Sequence, residues 1–415
     1  MKKLLSFTIL ILIVNAQPKD WTPELSIKVK SISDLNFSNN NQIAMVVREA
    51  LIDGKKSEYL SQIWVSHSDN SEPTKFTHYE KSSTHPRFSP DGKFLAFLSS
   101  RSEKQQIWVM RTNGGEAWQF TFEKQGAGSF KWSPDGNKIA FLMKNPKTEK
   151  EEKDEKEKRD VILVDKNFKY SHLYLKTFTT KVDTNKANRI TKGEFDITSF
   201  NWNPNGRNIV FAQSLEPTFN SRFISGDISL VNIKSKTVRK LITWGGNDRN
   251  PIFTPDGKSI LFTSDGEKNE PIGFSDVYKV SSNGGKPKKL AETPNRSTNI
   301  IKCSSNSNYV YVSEANRTKS EIYKISLNNK EIRPILNLDG RVSSPNISND
   351  SETIAFVKQQ LNKPSEVYLS ELSNISPKQI SNFNSSLEFP KFAKTELLQW
   401  SSKDGLEIEG LLTYP

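Results

Sequence analysis

Hydrophobic residues with a period of two follow a turn motif that recurs along this chain. One clear copy is Ser89-Pro-Asp-Gly92, which Leu95 and Phe97 follow, and the next copy precedes Ile139 and Phe141 in the same way. Proline presets the backbone of a turn, Asp or Asn caps it through its side chain, and glycine accepts the positive φ that closes it. Each copy therefore predicts a hairpin whose second strand is half-buried.

The spacing of the motif predicts the architecture. Seven copies occur, with Phe37, Phe88, Trp132, Trp202, Phe253, Cys303 and Ile347 at equivalent positions. The intervals between them are 51, 44, 70, 51, 50 and 44 residues. A period of roughly 40 to 50 residues with several strands in each repeat is typical of a β-propeller.

A third strand follows each hairpin and completes the count of blades. The predicted third strands are 62–65, 106–110, 172–175, 227–230, 276–280, 321–325 and 366–369. Two hairpins make a four-stranded blade. The sequence therefore predicts an all-β fold, a seven-bladed β-propeller of four-stranded antiparallel blades over residues 17–395.

The long third interval contains a charged insertion at residues 145–160. Between Lys147 and Arg159 the chain has six basic and six acidic residues. A segment of this composition has no apolar side chains with which to build a core. We expect a solvated loop or a short exposed helix within blade three.

The N-terminus has the pattern of an export signal. Lys2 and Lys3 precede an apolar run from Leu4 to Val14, and Ala16 is a small residue of the kind that a signal peptidase reads. We expect residues 1–16 to be a signal peptide that is cleaved after Ala16. No other apolar stretch approaches the length of a membrane span, so no membrane insertion is expected.

Cysteine usage and charge narrow the class of protein further. The single cysteine, Cys303, has no partner for an intrachain disulfide, which favours a periplasmic or other bacterial exterior location. The formal net charge is +12, but the basic residues are spread along the chain without a stripe or a stacking platform. The sequence therefore predicts no nucleic-acid partner.

The sequence has no motif that is typical of catalytic or metal-binding residues. The chain has no Gly-x-Ser-x-Gly motif, and Gly126-Ala-Gly-Ser129 has neither its spacing nor its strand–turn–helix setting. The four histidines do not have the spacing of metal ligands; they are His67, His78, His85 and His172. We therefore predict no catalytic residue, no metal site and no cofactor within this chain.

The segments on either side of the repeats resemble a known family. Residues Glu396 to Pro415 form a hairpin pattern that belongs to no blade. They resemble the opening strands of the α/β-hydrolase domain in the prolyl oligopeptidase family of serine peptidases. Trp21-Thr-Pro-Glu24 and Asp160-Val-Ile-Leu-Val-Asp165 are similar to segments of its acylaminoacyl-peptidase-like and dipeptidyl-peptidase-5-like members.

The resemblance implies a substrate-gating propeller of a secreted serine peptidase. In that family a Ser-Asp-His triad on the hydrolase domain cleaves short peptides, and the propeller restricts which of them reach the triad. Residues 396–415 are about twenty, whereas a hydrolase domain needs on the order of two hundred. The resemblance therefore implies that the catalytic domain is truncated here and that this chain alone is inactive.

Two alternatives stay open at this point. The loop Leu215–Phe223 carries Glu216 and Arg222, which are able to bind an amine or a carbonyl group of a substrate, or which belong to a solvated loop. The rival class is a non-enzymatic periplasmic propeller that acts as a protein-interaction scaffold, because such propellers are built from the same Pro-Asp-Gly repeats.

Overall fold

Seven four-stranded antiparallel sheets make up most of the molecule. The computed structural model describes residues 20–52, 54, 57–67, 72–159, 161, 165–267 and 274–414. In each sheet the four strands are hydrogen-bonded in their order along the chain. The predicted seven-bladed β-propeller is confirmed, and the predicted signal peptide lies outside the described residues.

The first four blades span residues 31 to 242. Their strands are β1 (Ser31–Phe37), β2 (Gln42–Ile52), β3 (Ser57–His67) and β4 (Thr74–Lys75); β5 (Ser83–Phe88), β6 (Phe94–Ser102), β7 (Lys104–Arg111) and β8 (Trp118–Gln119); β9 (Phe130–Trp132), β10 (Lys138–Lys144), β11 (Ser171–Thr177) and β12 (Asn188–Arg189); and β13 (Asp196–Trp202), β14 (Asn208–Ser214), β15 (Gly226–Asn232) and β16 (Val238–Ile242).

The last three blades and a separate hairpin complete the chain. Their strands are β17 (Arg249–Phe253), β18 (Ser259–Ser264), β19 (Asp276–Ser281) and β20 (Lys288–Ala291); β21 (Asn299–Cys303), β22 (Tyr309–Asn316), β23 (Lys319–Ser326) and β24 (Ile332–Leu338); β25 (Arg341–Ile347), β26 (Thr353–Gln360), β27 (Lys363–Glu371) and β28 (Lys378–Gln379); and the hairpin β29 (Thr395–Ser401) and β30 (Glu407–Thr413). Three short helices are described, α1 (Pro23–Lys28), α2 (Glu149–Lys156) and α3 (Phe219–Ile224).

The recurring motif forms the turn that its residues predict. In blade two the Ser89 hydroxyl accepts a hydrogen bond from the Phe94 amide at 3.0 Å and donates to Asp91 at 2.6 Å. Gly92 closes the turn at φ 71°. In the three copies without glycine, Asn41, Ser307 and Ser351 take the same left-handed conformation, with φ of 57°, 58° and 66°.

The second strand of each blade is buried on both faces, so the expectation of half-burial was wrong. Leu95, Ala96 and Phe97 are consecutive in β6 and all have 0% exposure. Blades stack face to face, so alternate side chains of one strand pack against the preceding and the following blade. Phe141 thus packs with Ile107 of blade two, on the opposite face of β10 from the side chains that contact blade four.

A buried hydroxyl fastens the short fourth strand to the third in several blades. Thr121 accepts a hydrogen bond from the Ile107 amide at 2.9 Å and donates to Gln106 Oε1 at 2.7 Å. Thr77 and Thr191 accept from the equivalent amides of blades one and three at 2.9 and 3.0 Å. The hydroxyl extends the pairing of strands that are only two residues long.

Replacing Thr121 by valine is expected to destabilise the protein by about 2 kcal/mol, because the isosteric side chain leaves the buried amide of Ile107 without its acceptor. Urea unfolding monitored by tryptophan fluorescence measures this change. Thr180→Val is the matched control, since Thr180 is exposed and its substitution is expected to change the stability by less than about 0.5 kcal/mol. Equal stability of the two variants would contradict the role of the Thr121 hydroxyl.

Blades one and seven close the ring by packing, without exchanging a strand. Ile32, Met45 and other apolar residues of blade one form one cluster with Val357 and Val367 of blade seven. Asn384, just after blade seven, accepts a hydrogen bond from the Lys30 amide at 2.8 Å and donates to the Lys30 carbonyl at 3.1 Å. Among the described strands, each blade is built from one continuous segment.

The charged insertion contains the exposed helix α2. Thr148 and Glu151 form a reciprocal capping box at its N-terminus, and none of its residues is buried. The hydrogen bond from Lys169, at 2.7 Å, lowers the pKa of Glu151 to about 2. Lys124 of blade two also contacts Glu152 at 2.6 Å, so ion pairs rather than apolar contacts attach this helix to the propeller. None of the described helices is long and apolar enough to cross a membrane.

Candidate functional site

The two faces of the propeller differ in the apolar groups that they expose. The turn face carries the seven turn motifs, and the loop face carries the loops between the second and third strands and the links between blades. Among the described residues of the blades, ten large apolar side chains are exposed on the loop face, namely Ile52, Tyr59, Tyr79, Val161, Leu215, Phe219, Phe223, Ile224, Phe274 and Leu361. In the described part of the blades, Val182 and Val238 are the only large apolar side chains exposed on the turn face. The loop face is therefore the better candidate for contact with a partner or substrate.

Helix α3 projects from the loop face and presents part of this apolar surface. Thr218 caps the helix, and the rings of Phe219 and Phe223 lie 4.6 Å apart. Arg222 donates to the buried carboxylate of Asp196 at 2.9 Å, whereas the Glu216 side chain is exposed. Asp196 thus pairs with Arg222, the cation that the sequence analysis considered for substrate binding. Glu216 and Arg222 do not form a joint site.

A cavity of about 230 Å³ lies beside α3, between blades four, five and six. Its walls include six residues with distinct chemistry, which are Phe223, Asn247, Arg249, Asp265, Phe274 and Thr298. The side-chain amide of Asn247 donates through Nδ2 to the carbonyls of Phe223 and Arg222 at 2.7 and 3.3 Å. This buried side chain therefore holds the C-terminal end of α3 against the cavity.

A second cavity, of about 370 Å³, lies on the other side of Arg222. The segment Gly126–Ser129 forms part of its wall. A β-carbon on Gly126 would lie 2.8 Å from the Gln105 carbonyl, and one on Gly128 would lie 3.1 Å from the Leu142 carbonyl. Close approach to neighbouring strands explains these glycines. The segment connects β8 to β9 as a loop, which is not the setting of a nucleophile elbow.

Polar side chains of the innermost strands bond to groups of the neighbouring blade. Arg87 of blade two donates to Asp34 of blade one at 2.7 Å, and His85 Nδ1 lies 3.4 Å from the same carboxylate. Lys302 donates to the Ile347 carbonyl of blade seven at 3.0 Å, and burial lowers the pKa of this amine to about 8. These contacts join neighbouring blades and so give His85 a structural partner.

The remaining histidines and the cysteine lie apart from both cavities. His172 is buried beside Thr191, and burial lowers its pKa to about 4. His78 lies 3.0 Å from the Lys75 carbonyl. Cys303 is buried, which raises the pKa of its thiol to about 12. In the part of the chain that the structure describes, no three His, Cys, Asp or Glu side chains are grouped as metal ligands.

Seven stacked four-stranded blades define a β-propeller, and the sequence comparison identifies its kind. Residues 38–171 and 156–338 match the family model described as the TolB beta propeller domain. The match extends over more than half of the chain, which therefore belongs to this family.

Several of the similar proteins are peptidases. The chain is 36% identical over 73 residues to the uncharacterized peptidase YuxL of Bacillus subtilis, a match that covers 18% of this chain and 11% of that protein. It superposes on the acylaminoacyl peptidase of Pyrococcus horikoshii with a TM-score of 0.68 and 18% identity, covering 95% and 59% of the two chains. It also superposes on a puromycin-hydrolyzing peptidase of Mycobacterium tuberculosis with a TM-score of 0.69 and 10% identity. That match covers 94% of this chain and 59% of the other.

These matches confirm, at the level of the fold, the resemblance recognised in the sequence. The chain spans about three-fifths of the length of these two solved structures, and the shared part is their propeller. At such low identity the likeness establishes the propeller fold and leaves activity to be argued from the molecule itself.

Proposed function

We propose that this chain is the substrate-gating propeller of an exported serine peptidase of the prolyl oligopeptidase family. The enzyme hydrolyses short peptides, with dipeptidyl-peptidase or acylaminoacyl-peptidase specificity. An α/β-hydrolase domain supplies its catalytic triad, and the loop face of the propeller covers that domain and limits which substrates reach it.

The hairpin β29–β30 is the observation that carries this proposal. It lies outside the seven blades and contacts the loop face through Glu409, which accepts a hydrogen bond from Thr318 at 3.1 Å and pairs with Arg317 at 3.4 Å. Both sides of the hairpin expose large apolar residues, including Leu398 and Trp400 on one side. A lone two-stranded hairpin is only marginally stable in water. We therefore expect further strands and helices to pack against these exposed apolar residues. Such a hairpin fits the first strands of a second domain.

An aromatic cluster supports the same arrangement at the point where the chain leaves the propeller. The ring of Trp21, which precedes α1, stacks on the ring of Phe389 with 5.9 Å between the ring centres. The centre of the Phe392 ring lies at the same distance from that of Trp21. The segment before the first blade thus anchors the segment between the last blade and the hairpin. This anchor holds the linker to the hairpin against the propeller, which supports the proposal that a following domain meets the loop face.

Activity assays test the proposed function. The chain alone is expected to have no hydrolase activity, whereas the protein extended beyond residue 415 is expected to cleave dipeptidyl or acylaminoacyl chromogenic substrates and to leave folded proteins intact. Catalysis of this kind needs an activated serine, and the sequence has no Gly-x-Ser-x-Gly motif.

A serine-directed phosphonate inhibitor is the control for these assays. Turnover by the short chain that the inhibitor abolishes would contradict the division of labour between the domains. Failure of the extended protein to react with the inhibitor would favour the non-enzymatic scaffold. Export is tested separately, by N-terminal sequencing of the mature protein, which is expected to begin at Gln17.

A further inference from the structure

Arg249 presents a cation on the loop face. It is the first residue of β17, the innermost strand of blade five, and it lines the 230 Å³ cavity beside α3. Among the described residues, none accepts a hydrogen bond from its guanidinium or forms an ion pair with it. A guanidinium stays charged at every physiological pH and offers five donors in a fork that matches a carboxylate.

The other two arginines next to the cavity each pair with a buried carboxylate. Arg222 pairs with Asp196 at 2.9 Å, and Arg296 pairs with Asp276 at 3.0 Å. Both carboxylates have 0% side-chain exposure. Among the described residues of the cavity wall the one carboxylate is that of Asp265, which accepts a hydrogen bond from the backbone N–H of Asn247 at 2.6 Å. Arg249 is thus the arginine at this site that is left for an anion from outside the described residues.

Apolar walls next to this cation narrow the kind of anion. The rings of Phe223 and Phe274 line the same cavity and keep 41% and 36% of their surface exposed. The guanidinium of Arg296 lies 4.7 Å from the centre of the Phe274 ring and holds that ring in place. A cation beside two aromatic rings suits a ligand that joins a carboxylate to an apolar side chain. The volume suits the end of a peptide rather than a whole substrate.

We propose that Arg249 binds the C-terminal carboxylate of a short peptide whose last side chain packs between Phe223 and Phe274. This inference rests on the proposed peptidase function, because it places the subsite on the face that covers the hydrolase domain. A fixed subsite for the C-terminus sets the distance from that end to the scissile bond. Peptide length is then selected by position in addition to the size of the opening.

Equilibrium binding to the purified chain tests the subsite without any need for catalysis. The probes are acetyl-Ala-Ala-Phe with a free carboxylate and the same peptide as its C-terminal amide, titrated by calorimetry. The free acid is expected to bind about 10- to 100-fold more tightly than the amide, as for a charge-assisted hydrogen bond. Arg249→Met is expected to abolish this preference, and Arg249→Lys to retain part of it.

Arg207→Met is the matched control, because Arg207 is exposed in the turn motif of blade four, on the opposite face. It is expected to keep the full preference for the acid, and thermal unfolding by circular dichroism checks that all variants remain folded. Equal binding of acid and amide by the unsubstituted chain would overturn the subsite, as would a preference that survives in Arg249→Met. Either result leaves the peptidase proposal intact, whereas a failed activity assay does not alter the binding measurement.

Discussion

Replacing Phe141 by alanine is expected to lower the free energy of unfolding by about 3–5 kcal/mol. Phe141 has no exposed surface, and its ring stacks on Tyr174 of the same blade at 6.0 Å. It also belongs to the cluster that joins blade three to Ile107 and Val109 of blade two. The substitution therefore removes the transfer free energy of a large ring and leaves a cavity at the boundary between two blades. Urea unfolding followed by tryptophan fluorescence measures the loss.

Phe219→Ala is the matched control for this prediction. Phe219 lies on α3 with 76% of its surface exposed, so the same change of side chain is expected to cost less than about 1 kcal/mol. Similar losses in the two variants would mean that packing between blades does not dominate the stability of the propeller. A loss confined to Phe141→Ala would assign that role to the boundary between blades two and three.

The turn motifs could be predicted because their chemistry is local. Within four residues, Ser89, Asp91 and Gly92 supply the hydroxyl, the cap and the positive φ that close one turn. Even the copies without glycine keep the conformation, since Ser307 and Ser351 adopt a positive φ. Regular spacing of such local signals was enough to predict the number of blades and the order of their strands.

Burial and the candidate site depended on contacts that no local pattern records. The period of two in β6 predicts one buried face, but Ala96 on the other face is buried by the next blade. Phe223, Arg249 and Phe274 come from three separate segments, and only the stacking of blades brings them to one cavity. Likewise, Arg222 pairs with the buried Asp196, which lies 26 residues earlier in the chain. The spacing of residues in the sequence does not predict contacts of this kind between distant segments.

Asp248 is expected to make the stability of the propeller fall as the pH rises from about 5 to 8. This carboxyl is fully buried just before β17 and accepts a hydrogen bond from Trp244 Nε1 at 2.6 Å. Burial raises its pKa from 3.8 to about 7, and the nearby carboxylates of Asp227 and Asp265 act in the same direction. The folded protein therefore keeps this proton up to about pH 7, whereas the unfolded chain releases it near pH 4.

The sign of the pH effect follows from this difference in proton binding. Below about pH 4 both states are protonated, and the contribution of Asp248 to stability is fully present. Between about pH 4 and 7 only the folded state holds the proton, so stability falls with rising pH, and above 7 the loss is complete. From pH 5 to 8 the loss due to Asp248 is expected to be about 3 kcal/mol.

Asp248→Asn isolates this contribution, because the amide does not ionise. Urea unfolding at pH 5 and pH 8 is expected to show a drop in stability that is smaller in Asp248→Asn than in the unsubstituted protein by about 3 kcal/mol. Asp339→Asn is the control, since Asp339 has a largely exposed side chain and its substitution is expected to leave the pH dependence unchanged. The same drop in the unsubstituted protein and in Asp248→Asn would mean that the buried carboxyl does not hold its proton near neutral pH.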